Sequence, residues 1–145
     1  MQGKWITGMV LLFSLGIALK CVAGSSPEEQ HVMVSMRMIG HQVLLQAGDT
    51  TSRVLPVEKL NGRYQIRFEN PFSFTPEKLS ATIDRWIGKT RIAGSYIVEV
   101  TECGGERVVY SYERSQRAAA SLVPCQSRKQ PKACYELFIT ITAPF

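Results

Sequence analysis

Between Leu60 and Glu113 the chain reads as strand, helix, strand, turn, strand, and that order restricts the fold more than any other feature. Arg63 to Glu69 alternates without a break. Tyr64, Ile66 and Phe68 fall on one face and Arg63, Gln65, Arg67 and Glu69 on the other, the period of a half-buried strand. Asn61-Gly62 just before it is the preferred pair for a two-residue type I′ turn, so the preceding segment is expected to fold back as a hairpin partner. That register sets Lys59 against Tyr64, Val57 against Ile66 and Leu55 against Phe68, with Pro56 marking an edge strand because it cannot donate to a ladder. Thr75-Pro76-Glu77 then opens a helix with Thr75 as cap. Leu79, Ile83, Trp86 and Ile87 form its buried stripe, Lys78, Asp84, Arg85 and Lys89 face water, and its end falls between Gly88 and Gly94. Tyr96–Glu102 and Arg107–Glu113 make a second hairpin around Cys103-Gly104-Gly105. A three-residue loop there sets Val100 against Val108, Val98 against Tyr110 and Tyr96 against Tyr112, keeping one face apolar.

The flanks add one helix and one strand. Ser26-Pro27-Glu28-Glu29 is a capped helix start, and Val32, Met36, Ile39, Val43 and Ala47 continue it as an apolar stripe for about twenty residues, with Gly40 its weak point and Gly48 its stop. Asn70 to Phe74 reads as a turn carrying two aromatics. Ser115 to Lys132 is irregular and basic apart from a helical turn at Ala118–Ala120, and Tyr135 to Thr142 alternates as a fifth strand. The expected architecture is α+β: a two-layer sandwich with a mixed five-stranded sheet and two helices on one face. A right-handed crossover follows if the strands flanking the second helix run parallel in one sheet.

The first residues carry a targeting pattern. Lys4 gives a positive start, Trp5 to Leu19 is an uncharged apolar run, and Cys21-Val22-Ala23 supplies small residues before a cut after Ala23. Fifteen residues would span about 22 Å as a helix, short of the roughly 30 Å hydrocarbon core, so residues 1–23 are expected to be a signal peptide and 24–145 one extracytoplasmic domain. The alternative is an N-terminal membrane anchor; acylation on Cys21 is disfavoured by Lys20. Removing Lys4 and Lys20 leaves 15 basic against 12 acidic residues, a net +3 with charges interspersed, and an exported chain of that kind is not expected to meet nucleic acid. Three cysteines remain. Cys125 and Cys134 are near in sequence and are expected to pair in an oxidising compartment, which in the chain-entropy model stabilises by about 2.5–3 kcal/mol. Cys103 is then free or a competitor for the same partners.

Catalytic chemistry is not legible. The only two histidines, His31 and His41, are about 15 Å apart along a helix, too far to share a metal, and no C-x-x-C pair accompanies them. His41, Asp49 and Ser52 supply the residue types of a triad without any spacing that implies its geometry. No Gly-rich phosphate loop occurs, and no metal or cofactor is expected. Two exposed features remain as candidate recognition sites: the hydroxyl-rich loop Asp49, Thr50, Thr51, Ser52, Arg53, and the basic residues Arg128, Lys129 and Lys132 between Cys125 and Cys134, which would suit an anionic envelope surface.

The run IGHQVLLQAGDTTSRVLPVEKLNGRYQIRFENPFSF, followed by YIVEV, a cysteine-bearing turn, VVYSYE and the Cys125 to Cys134 segment, resembles the extracytoplasmic N-terminal region of bacterial membrane-bound sensor histidine kinases. The resemblance spans about residues 30 to 142 and brings no ligand or functional residue with it. Without a second membrane segment after Phe145 or a kinase core, it implies a free-standing or truncated input module. The expected function is therefore an exported, non-catalytic binding or sensory-input module whose partner is a protein or cell-envelope ligand. The alternatives are a structural protein pairing through its Pro56 edge strand, and a small secreted hydrolase.

Overall fold

The computed structural model describes residues 25–105, 107–124 and 127–145; the expected signal peptide and Cys125 lie outside the described residues. Helix α1 (Pro27–Gln46) starts on its cap, with the Ser26 hydroxyl accepting from the Glu29 N–H at 3.1 Å. Glu29 does not return the bond to the cap. Its carboxylate instead accepts from Lys59 Nζ at 2.9 Å and the Tyr64 hydroxyl at 3.2 Å, which ties the helix start to the sheet. At the other end the Asp49 N–H reaches Leu44 O and the Gly48 N–H reaches Leu45 O, with Gly48 at φ 84°. That is a Schellman ending, and it needs the positive φ that glycine adopts without a Cβ penalty.

The short strand β1 (Glu58–Leu60) and β2 (Arg63–Arg67) form the expected hairpin, with Lys59 opposite Tyr64 and the turn residues Asn61 and Gly62 at φ 50° and 79°. Further along, Val54 rather than Leu55 lies opposite Phe68. One extra residue is accommodated around Pro56, which has no N–H to keep the ladder regular, and the slip turns Val54 into the core. The chain continues through β3 (Phe72–Phe74), α2 (Pro76–Thr90), β4 (Ser95–Glu102), β5 (Val108–Arg114), a 3-10 turn at Ala118–Ala120, β6 (Gln130–Ala133) and β7 (Tyr135–Ala143). Segments 72–74 and 130–133, read above as turn and loop, pair with each other as a separate two-stranded sheet.

The α+β expectation holds, with a five-stranded sheet in the order β1-β2-β7-β4-β5. Every neighbouring pair is antiparallel. Strands β2 and β4 do run parallel, but β7 lies between them, so the last strand of the chain completes a split β-α-β unit. In the β4–β5 hairpin the partners are Val100–Tyr110, Val98–Tyr112 and Tyr96–Arg114, two residues beyond the expected register. A slip of two preserves which residues face inward, which is why the apolar face was right and the loop length was not. Thr75 precedes α2 in extended conformation but makes no side-chain cap bond, contrary to expectation, and the helix ends at Arg91 in the left-handed conformation (φ 55°).

The two helices meet the sheet through one core. Met36, Ile39, Leu44, Leu79 and Ile83 pack with Ile66, Val98, Val100, Leu137 and Ile139, all fully buried. Gly40 is the point of closest approach: a Cβ there would lie 2.7 Å from Ile66 Cγ2 and 3.0 Å from Val54 Cγ1. Both neighbours are buried and β-branched, so neither can swing aside. Gly40→Ala is therefore expected to lower stability by about 1–2 kcal/mol in urea unfolding, although alanine would gain about 1 kcal/mol in an exposed helix.

Asp84 corrects another expectation. It is only partly exposed. Its carboxylate accepts from the Tyr96 hydroxyl (2.6 Å), the Tyr112 hydroxyl (3.0 Å) and Arg114 Nε (2.7 Å), joining α2 to β4 and β5.

Candidate ligand-binding cleft

The ending of α1 projects a hydroxyl-rich turn over the two-stranded sheet. Asp49 organises it: Oδ1 accepts from the Thr51 N–H (3.0 Å), the Thr51 hydroxyl (3.2 Å) and the Ser52 N–H (2.9 Å), and Oδ2 accepts from the Ser52 hydroxyl. These donors, the Ser52 hydroxyl foremost, hold the Asp49 carboxyl down at about 2. Whatever Asp49 contributes to the loop is present above its unfolded pKa near 4 and fades as pH falls towards 2. The Thr51 and Ser52 amide resonances should thus titrate with a midpoint about two units below a free aspartate; a midpoint of about 3.9 would contradict the bonding.

Opposite this turn lie Asn70, Pro71, Phe72 and Ser73. Asn70 Nδ2 donates to Ser52 Oγ at 2.9 Å, linking the two walls. Phe72 belongs to a buried aromatic cluster, edge-on to Phe68 at 4.8 Å and to Tyr135 at 5.6 Å between ring centroids, so the floor is firm. Strand β6 pairs with β3 and brings Lys132 to the same place. Ala47, Gly48, Asp49, Thr50 and Ser52 face Asn70, Ser73 and Lys132 across a cleft of about 620 Å³.

The disulfide explains how Lys132 is held there. Cys134 pairs with Cys103, not with Cys125 as sequence proximity predicts. The β4–β7 ladder ends at Glu102–Tyr135, and the next pair outward is Cys103–Cys134, with the Cys103 N–H donating to Cys134 O at 3.0 Å and Cα atoms 5.4 Å apart. Sheet register, rather than loop length, chooses the partner.

The expected site residues thus divide. Asp49, Thr50, Thr51, Ser52 and Lys132 share the cleft. Arg53 turns to the other side of the loop, where its guanidinium binds Glu69 at 2.7 Å and holds that carboxyl below its usual range. Arg128 borders a different depression, with Pro76, Val109, Tyr110 and Gln130, and Lys129 lines neither. Asn70 and Ser73 were missed; in the sequence they sit inside an apparent aromatic turn, and only the β3–β6 pairing brings them to Lys132.

The triad residue types do not assemble as a triad. The Ser52 hydroxyl donates directly to Asp49 and accepts from Asn70, with no hydrogen bond to His41 among the described residues. His41, the histidine of that set, borders a separate depression with Val34, Arg37, Met38 and the outer side of the 50–54 segment, while His31 Nε2 lies 3.1 Å from Thr90 O. Among the described residues no group of three or more His, Cys, Asp or Glu side chains is placed to hold a metal.

Lys132 makes no hydrogen bond or ion pair among the described residues, and neither do the side-chain hydroxyls of Thr50 and Ser73. No helix among the described residues is long and apolar enough to cross a membrane. In comparisons with known proteins, the chain matches no family model, no curated protein and no solved structure.

Proposed function

We propose that the protein is an exported, non-catalytic binding module, sensory or carrier in character, whose ligand seats in the cleft between the 48–52 turn, residues 70–73 and Lys132. The observation that carries this reading is that Lys132, without a hydrogen bond or ion pair among the described residues, lines a concave, firmly floored site together with the Thr50 and Ser73 hydroxyls. The Lys and Arg side chains on the strands of the five-stranded sheet all have partners, Lys59 with Glu29, Arg63 with Glu99, Arg67 with Glu58 and Arg114 with Asp84, as does Arg53 with Glu69. The disulfide is compatible with export, and a cell-envelope constituent is the partner that compartment offers. Edge pairing through Pro56 is the weaker reading, since β1 is three residues long and interrupted by the slip at Val54.

Thermal unfolding of the purified protein with a panel of envelope sugars, amino acids and peptides tests the proposal. A ligand at about ten times its Kd should stabilise by about 1.4 kcal/mol. That stabilisation should vanish in Lys132→Glu while the unliganded melting temperature stays the same. Equal stabilisation of both variants would place the ligand elsewhere.

A further inference from the structure

The cleft carries two opposite charges that do not neutralise each other. Asp49 and Lys132 line it together, yet no ion pair joins them. The Asp49 end is negative twice over. Its carboxylate sits directly beyond the C-terminus of α1, where the last carbonyls give the helix a partial negative charge, and the last turn of α1 contains no basic residue to offset it. The four bonds Asp49 accepts from Thr51 and Ser52 fix its orientation but leave acceptor capacity on Oδ2. On the β6 side Lys132 offers three donors with no acceptor among the described residues. The Thr50 and Ser73 hydroxyls, each able to donate or accept, belong to the same lining.

A purely anionic ligand would meet the repulsion of Asp49 and the helix end, and a purely cationic one would meet Lys132. A molecule carrying both charges satisfies both walls. Resting on the cleft reading above, we infer that the ligand is a small zwitterion of about dipeptide size, its ammonium seated on Asp49 and its carboxylate on Lys132. A cleft of about 620 Å³ is larger than a single amino acid needs and suits a short peptide with free ends.

Isothermal titration with L-alanyl-L-alanine, its N-acetyl derivative and its C-terminal amide tests the inference. The free dipeptide should bind, and blocking either end should weaken binding about tenfold or more, the worth of one charge-assisted contact. Lys132→Gln should erase the advantage of the free carboxylate and leave the amide's affinity unchanged. Asp49→Asn, which keeps the Oδ1 acceptor of the turn, should erase the advantage of the free ammonium and leave the acetylated form unchanged. Circular dichroism and melting temperature check that both variants fold. Equal affinity for the free and acetylated dipeptides, or no binding of the free dipeptide at millimolar concentration, would overturn the zwitterion. The cleft itself would survive that result if any other ligand still stabilised the wild type and not Lys132→Glu.

Discussion

Asp84→Ala should destabilise the protein by about 3–5 kcal/mol in equilibrium denaturation, since it strands buried donors on two strands at once. Tyr96 and Tyr112 are 5% and 3% exposed, and both hydroxyls donate to the Asp84 carboxylate. Arg114 completes the set with Nε at 2.7 Å. Truncation leaves two buried hydroxyls without their acceptor and removes the partner of the half-exposed Arg114 guanidinium. Asp84→Asn separates shape from charge. Its Oδ1 can still accept, but its amide hydrogens oppose those of Arg114, so a loss of about 1–3 kcal/mol is expected. The same network predicts an alkaline limit. Burial first, and then the neighbouring Asp84 charge, raise the pKa of both tyrosines above the ordinary value of 10. A group whose folded pKa is raised contributes fully below its unfolded pKa, so stability should hold up to about pH 10 and decline above it. Ultraviolet titration should show these two phenols ionising later than the remaining tyrosines. If Asp84→Ala costs under about 1 kcal/mol, the bonds contribute no more than a surface pair.

Breaking the Cys103–Cys134 bridge has the second largest expected effect, and it reaches the cleft. With a sequence separation of 31, the chain-entropy model gives about 3.5 kcal/mol of stabilisation. For a domain of this size, Cys134→Ser should therefore lower the melting temperature by roughly 10–15 °C. Cys134 joins β6 to β7, two residues after Lys132, so its release also frees the strand that presents the ammonium. Ligand affinity should fall in Cys134→Ser even at temperatures where the protein remains folded. Cys125→Ser should leave both stability and affinity unchanged, and peptide mapping of the native protein should recover the 103–134 pair.

The sequence made some of this architecture legible and concealed the rest for identifiable reasons. Helix α1, the Asn61-Gly62 turn and the inward faces of β2, β4 and β7 follow from caps, turn chemistry and alternation, which are local signals. Register across a longer loop is not local. The β4–β5 pairing lay two residues from expectation because a slip of two leaves the apolar pattern intact. Asp84 reads as a surface residue on a helical wheel. Only sheet order reveals that Tyr96, Tyr112 and Arg114 converge on it. The cysteine pairing failed similarly, since proximity in sequence favours Cys125 while the β4–β7 ladder selects Cys103. The cleft was half legible: the hydroxyl-rich turn and Lys132 stood out separately, about eighty residues apart, and the β3–β6 sheet that unites them is too short to announce itself.

The proposed function rests on the cleft, with the sheet as its scaffold. The most direct measurement is a ¹⁵N–¹H nuclear magnetic resonance titration of the purified protein with L-alanyl-L-alanine. Shifts confined to residues 48–52, 70, 73 and 132, and abolished in Lys132→Glu, are the predicted result. Shifts centred instead on the outer edge of β5 or on the outer face of α1, with the Thr50, Ser73 and Lys132 signals unmoved, would contradict it.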